Sequence, residues 1–364
     1  MKGALSFKPK FPGRGALMAV LVALSILIIP GVSCSAEKLV ICTAYPDSMT
    51  NNEVVPALYY FKALLEERTG GAYDVEIYAG GQLGNEVETT REVQDGVTIQ
   101  MALASSGAFS SFYRKYQAVV APYLFPSRLT AWALFDSDFF AQFMSGLPAT
   151  GLRYLGTMDD GGGFVVLTNN LRPVHKPEDF KGMRIRTEEN PAHMAVMTAM
   201  GASTVPMAWG QVATSLATKV AHGQFNALSI VAFAKFWETQ KYVTYLNHIY
   251  NTITWVVSDK WFKAQKPEYQ GQIIMASREA VVYSRGLAAH LSDLAVDACK
   301  KHKMKFNHIT PKEMARFKKL AQDGYRKWAV EEFGLKASLL DAIQDEVNGL
   351  DRMLQKRLPE RYGK

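Results

Sequence analysis

Lys181-Gly182-Met183-Arg184-Ile185-Arg186-Thr187-Glu188-Glu189-Asn190-Pro191 carries a glycine turn, a short strand and a helix start in immediate succession. Met183 to Arg186 reads as the strand, His193 to Met200 as the helix behind it and Ser203 to Pro206 as the next strand. Strand, helix, strand is the repeating unit of an α/β domain. Side chains two apart on a strand share a face, so Arg184 and Arg186 project together. Arg186 alone stands at the carboxyl end, where open α/β sheets receive ligands. A guanidinium there can hold a carboxylate through two parallel charge-assisted hydrogen bonds, which a lysine cannot reproduce. A lone arginine at a strand end is more often a surface charge, so its surroundings have to decide.

Downstream, Gln211 to Lys219 continues as a helix with Val212 and Leu216 inward. Upstream, Asp159-Asp160-Gly161-Gly162-Gly163 precedes a strand-like Phe164 to Thr168 and reads as a flexible stretch where the chain crosses between two lobes. Before it lies a second α/β set. Lys38 to Thr43 is a buried strand, and Asn51 to Glu67 a helix with Val54, Leu58, Phe61 and Leu65 on one stripe. Tyr73 to Tyr78 alternates like a half-buried strand, Glu86 to Asp95 is a helix, and Ile99 to Ala104 a strand. Ala118 to Leu124 reads as one more apolar strand closed by Phe125-Pro126, giving this lobe a parallel-type sheet. Pro267 to His302 keeps helical periodicity for roughly 50 Å at 1.5 Å per residue, too long for one domain, so it is expected to brace both. Leu339, Ile343, Val347, Leu350 and Leu354 share the face of a last helix. The expected division is 37–160 plus about 250–280 for the first lobe and 161–249 plus about 281–364 for the second, with helix 267–302 spanning both.

Composition agrees with this scale: 364 residues, 48% hydrophobic and 21% charged, suit two packed domains. Residues 1–36 read as an export signal, because Lys2, Lys8, Lys10 and Arg14 precede an apolar run from Ala16 to Ile29 that Pro30 and Gly31 break. The run falls short of the roughly 20 residues that span a bilayer, and Ser33, Ser35 and Ala36 offer a cleavage site. Gly31-Val32-Ser33-Cys34 resembles a lipobox without its usual leucine, which would lipidate Cys34. Of the 41 Lys and Arg, four lie in the signal, leaving 37 against 34 acids, or +3. Nucleic acid is therefore not an expected partner. Cys42 and Cys299 are too few for a disulfide framework and read as two buried thiols, with one disulfide as the alternative.

No nucleophile elbow, phosphate loop, dinucleotide fingerprint or zinc motif occurs, so no metal and no cofactor is expected. What the chain offers is a set of spaced motifs: the Arg186 segment, Gly201-Ala202-Ser203-Thr204-Val205-Pro206-Met207-Ala208-Trp209-Gly210-Gln211, and Ala221-His222-Gly223-Gln224-Phe225-Asn226. With Gly81-Gln82-Leu83-Gly84, Leu167-Thr168-Asn169-Asn170 and the long helix, the chain resembles the solute-receptor subunit of tripartite ATP-independent periplasmic (TRAP) transporters, the dicarboxylate and sialic-acid receptor family. The resemblance implies a periplasmic two-lobed α/β fold, each lobe a mixed sheet flanked by helices, joined by crossover strands and a long bracing helix. It implies a receptor, not an enzyme, that closes on a small organic acid and docks on TRAP membrane subunits.

Residue by residue, the resemblance assigns Arg186 a salt bridge to the ligand carboxylate and Asn226 a hydrogen bond to it. Trp209 falls on the family's aromatic ligand contact. Tyr45, Asn85 and Ser105 follow first-lobe strands or turns where family contacts sit. A second family arginine falls on Val165 here, so a second carboxylate would lack its partner. With Phe225 and Trp209 near, the expected ligand is a monocarboxylate with an apolar or aromatic tail. Two rivals stand beside this reading: a receptor for a different transporter or sensor, and a periplasmic hydrolase or lyase with His193 or His222 as base and Glu188 or Glu189 as acid.

Overall fold

The computed structural model describes residues 36–362. The expected export signal and the expected lipidation of Cys34 fall on residues that lie outside the described ones. Ten strands follow in chain order: β1 (Glu37–Cys42), β2 (Tyr73–Tyr78), β3 (Met101–Ser105), β4 (Leu152–Asn169), β5 (Arg184–Thr187), β6 (Ser203–Pro206), β7 (Gly223–Ala227), β8 (Tyr242–Thr244), β9 (Tyr250–Ser258) and β10 (Lys305–Asn307). Their order across the sheet is β2-β1-β3-β9-β4-β7-β5-β6, with β8 pairing β4 and β10 pairing β8.

β4 makes one strand path of two half-sheets. Its first part pairs antiparallel with β9, from Leu152↔Ser258 to Phe164↔Tyr250. Its last residues, Val165 to Asn169, pair antiparallel with β7. On one side β1 lies parallel to β2 and β3, and β3 meets β9 antiparallel. On the other, β5 lies parallel to β6 and β7. Both halves are mixed, and the two-lobed α/β class expected from the sequence is the observed one. The parallel-type pattern read in the first lobe is completed to the mixed sheet that the resemblance implies by β9, which pairs antiparallel and whose nine residues are all buried.

Gly161, Gly162 and Gly163 form the crossing inside β4, where register with β9 shifts between Asp159 and Phe164. All three have positive φ (63°, 99° and 87°), a region open to glycine and strained for other residues. A Cβ on Gly162 would lie 2.0 Å from Ser292 Oγ and one on Gly163 2.3 Å from the Tyr250 ring. The stretch that reads as loose in sequence is therefore a packed bend within a continuous strand.

Ala118 to Leu124 corrects another expectation. Arg114–Ala118 forms a 3-10 turn, and the residues after it run irregularly. Pro122 has no amide to give a ladder, and Tyr123 takes φ 56° with its N–H donated to His248 O at 2.8 Å. Ala118, Val119, Val120 and Leu124 are buried all the same. Their apolarity serves the core without a strand.

The long helix, Pro267–Lys301, fixes both halves against each other. Ile273, Ala276, Ala280 and Val281 join the core packed under β1, β3 and β9, with Leu58, Phe61 and Trp255. Twenty residues on, Ala295 and Cys299 join the other half's core with Val166, Leu216 and Val231. Between them the buried Arg285 donates to Thr157 O at 2.8 Å and to Asp136 at 2.6 Å, tying the helix to β4. The final helix, Ala337–Tyr362, packs on the helix Arg128–Phe135. Cys42 and Cys299 are buried free thiols in different cores.

Candidate functional site

Strand carboxyl ends from both halves converge on a cleft. Its inner chamber encloses about 400 Å³ and is lined by Tyr45, Glu86, Ser105, Asp160, Arg186, Glu188, Trp209, Asn226 and the aliphatic or aromatic Ile230, Phe233 and Ile253. A wider vestibule of about 1140 Å³ shares Glu86, Ser105, Arg186, Glu188 and Trp209 with it and adds Asn85, Glu189 and Met207.

Arg186 occupies the end of β5, in register with Gln224 of β7 and Val205 of β6, and is 3% exposed. Its Nε and Nη2 donate to Met207 O at 3.3 and 2.9 Å, while Nη1 has no hydrogen-bond partner among the described residues. One edge of the fork is thus fixed by backbone and the rest faces the chamber. Burial pulls the guanidinium pKa below its ordinary value, opposed by the nearby Glu188, Glu86 and Asp160. Arg184 is instead exposed and caps the backbone at Lys219 and Val220, so the two arginines part company.

Asn226 shares Arg186's sheet face through Gln224: Asn226 Nδ2 donates to Gln224 Oε1 at 2.6 Å, and Gln224 Nε2 to Thr168 Oγ1 at 2.9 Å. Its own Oδ1 accepts nothing among the described residues. Trp209 stands edge-on to Phe233 at 6.0 Å, and Phe233 lies 5.8 Å from Tyr45, so three aromatic rings line one wall. Tyr45 is buried and donates its hydroxyl to Asp160. Ser105 donates to Glu86 through both N–H (3.0 Å) and Oγ (2.8 Å). Asn85 caps the helix Glu86–Asp95 through a reciprocal capping box with Glu88 and reaches only the vestibule.

One expectation fails here. Phe225 lies on the opposite face of β7 from Asn226, wedged between His193 and His248 at 5.7 and 4.8 Å, and cannot wall the ligand cleft. Val165 is fully buried opposite Ala227 and lines neither cavity. Three acids also line the chamber, of which the sequence reading named only Glu188, and that as the acid of the hydrolase or lyase rival. Glu86 is held by Ser105, Asp160 accepts from Asn251 Nδ2 at 2.5 Å, and Glu188 follows Arg186 by two residues. Burial pushes Glu86 up to about 7, helped by the neighbouring Glu188, and pushes Asp160 well above its ordinary value. Burial also opposes the charge on Glu188, yet His193 and Arg186 hold its pKa below the usual range. His193, 3.3 Å from Glu188, is fully buried outside the chamber, and His222 accepts from Arg184 N on the far side. Neither histidine reaches the cavity with a nucleophile beside it.

The family model for bacterial extracellular solute-binding proteins, family 7, matches residues 47–332. The chain belongs to this family, the TRAP solute-binding proteins. The 2,3-diketo-L-gulonate-binding periplasmic protein of Escherichia coli is 29% identical over 83% of this chain and 90% of its own length. The C4-dicarboxylate-binding periplasmic protein of Rhodobacter capsulatus is 27% identical over 84% and 91%. A TRAP periplasmic solute binding protein from Bordetella bronchiseptica, with density assigned to pantoate, has 28% identity and a TM-score of 0.77 over 85% of this chain and 99% of its own. This family 7 chain has no helix among the described residues long and apolar enough to cross a membrane.

Proposed function

We propose that this chain is an extracytoplasmic receptor that binds a small organic monocarboxylate between its lobes and delivers it to TRAP membrane subunits. The carrying observation is Arg186: buried, braced on Met207 O, with the remainder of its fork open to the chamber, and the sole Lys, Arg or His among the residues lining either cavity. A guanidinium so placed has hydrogen-bond capacity for one carboxylate, and Asn226 stands beside it to share the load. The two halves close around the anion, and closure changes the surface offered to the transporter.

The tail of the ligand lies against Trp209, Phe233, Ile230 and Ile253, which supports a monocarboxylate with an apolar-faced or ring-like tail over a C4 dicarboxylate. The named relatives bind acids of both kinds, and the single lining cation favours the first. Isothermal titration of the mature protein with succinate and with an aryl-acetate tests this. Tight succinate binding with no aryl-acetate signal overturns the monocarboxylate assignment, and an organic acid that binds Arg186→Ala as tightly as the unaltered chain overturns the role of Arg186.

A further inference from the structure

The charge around Arg186 is out of balance for a simple anion. Three carboxyl groups, Glu86, Asp160 and Glu188, line the same chamber as one guanidinium, and Glu189 lines the vestibule. A ligand carrying only a carboxylate adds another negative charge to a water-poor space where like charges repel strongly. Burial raises the pKa of Asp160 well above its ordinary value and that of Glu86 to about 7, which softens the imbalance, while Glu188 is held below the usual carboxylate range.

The acids also keep free acceptor capacity. Each oxygen of Asp160 and Glu86 takes one donor from the protein, and a carboxylate oxygen has room for two. Glu188 is different, for its Oε2 is buried 3.3 Å from His193 Nδ1 and its Oε1 lies 3.4 Å from Asn251 Nδ2. Independently, Asn226 is 4% exposed, lines the chamber and leaves Oδ1 unpartnered, so the pocket is built around something it does not itself contain. The rings of Tyr45, Phe233 and Trp209 line the same chamber in a row, with the Tyr45 hydroxyl bonded to Asp160. Aromatic faces backed by carboxylates are what a cationic nitrogen seeks, since ring quadrupole and full charge attract it together.

We propose that the site selects zwitterions: Arg186 and Asn226 take the carboxylate, while a cationic nitrogen lies between the acids Glu86, Asp160 and Glu188 and the Tyr45, Phe233 and Trp209 wall. This rests on the reading that Arg186 receives a carboxylate. It adds that the other end of the ligand is positively charged, so the ligand enters with no net charge.

Matched ligand pairs test it on the unaltered protein, where no variant can fail to fold. Glycine betaine, proline and 4-aminobutanoate are titrated against their neutral-tailed counterparts 3,3-dimethylbutanoate, cyclopentanecarboxylate and pentanoate, with D-gluconate as the hydroxyl-rich acid. The expected result is at least one zwitterion bound about tenfold or more tighter than its counterpart, with Glu188→Gln and Glu86→Gln shrinking that ratio. Neutral-tailed acids or gluconate binding more tightly than every zwitterion overturns the proposal. Arg186→Ala separates the two ideas. If the acids that bind do so independently of Arg186, the carboxylate reading fails; if binding needs Arg186 but ignores the nitrogen charge, only the zwitterion class fails.

Discussion

At the level of single residues, the energetics of Arg186 follow from what it would lose. Its burial is tolerable because Met207 O and the surrounding carboxylates compensate the guanidinium, and in the proposed assignment a bound carboxylate completes the set. Arg186→Ala is expected to weaken ligand binding at least about a hundredfold, equivalent to roughly 2.7 kcal/mol. Arg186→Lys should recover little of it, because an ammonium cannot both brace on Met207 O and present parallel donors. Titration calorimetry of both variants decides, and a loss under about threefold in Arg186→Ala would remove Arg186 from the site. Glu53 gives a pH prediction. It is 1% exposed, accepts from Gly161 N at 2.7 Å, and burial pushes its pKa up to about 7 against about 4.3 in an unfolded chain. The native state then keeps a proton that the unfolded state has released, so its stabilising share is full below about pH 4.3 and is lost as pH rises towards 7. Glu86, also near 7, acts in the same window. The unliganded protein should show a Tm that declines across this range, and Glu53→Gln should flatten the decline; parallel curves would refute it. The place of Arg186 in the cleft lining was legible only from its strand-end position together with the family resemblance, since a strand-end arginine alone is more often a surface charge. Glu86 and Asp160 were not legible, because isolated acids carry no spacing signal and only burial reveals them; Glu188 was named only as the acid of the hydrolase or lyase rival. Phe225 was a misreading of strand parity: one step from Asn226, it had to face the other way.

Elements were legible wherever periodicity ran long enough. Pro267–Lys301 and the helix Val54–Arg68 were read almost to their ends, because an apolar stripe at helical spacing has no strand equivalent. Short apolar runs were not, since burial alone fits a strand, a turn or a buried loop. Ala118 to Leu124 was given a strand it lacks, and β9 was passed over because all nine of its residues are buried and its alternation is erased. The glycine bend in β4 shows the same limit from the other side, for three glycines look loose until their neighbours are seen. Gly162→Ala forces a Cβ to 2.0 Å from Ser292 Oγ at φ 99°, combining a clash with the long helix and a backbone penalty. The expected cost is about 1–3 kcal/mol. Chemical denaturation measures it, and an unchanged midpoint would mean the crossing is not the packed hinge described. Gly107→Ala belongs to a different class. Its Cβ would lie 1.9 Å from Glu188 Oε2 and 2.9 Å from Glu188 Cβ, an atom tied to the backbone across the cleft, so Glu188 and the strand end that carries it are both displaced and affinity drops along with some stability. A thermal melt beside a titration separates the two effects, and a large loss of Tm with intact affinity would contradict this.

In the closure proposed above the two half-sheets come together, and the described conformation shows which hydrogen bonds hold them besides a ligand. Asn190, at the start of the helix behind β5, sends Nδ2 across the cleft to Ser110 Oγ at 2.7 Å and Gly107 O at 3.3 Å, residues that follow β3 in the other half. The same side chain caps its own helix through Ala192 N and His193 N, so its position is fixed before the halves meet. Asn251, at the other end of the contact, bridges Asp160 and Glu188 at 2.5 and 3.4 Å. These bonds favour the shut form and leave the ligand to supply the remainder, a division that sets apparent affinity through the fraction of closed receptor. Ser110→Ala removes the acceptor on the first half without touching the Asn190 cap. Losing one such buried bond, worth about 1 kcal/mol, should lower the closed population and weaken binding about fivefold, with no change in which ligands bind. Small-angle scattering should show the unliganded variant more expanded than the unaltered chain, and saturating ligand should restore the compact form. If affinity falls while the scattering profile of both states stays the same, Ser110 acts on the site and not on closure, and the interlobe contact has no part in the receptor's motion.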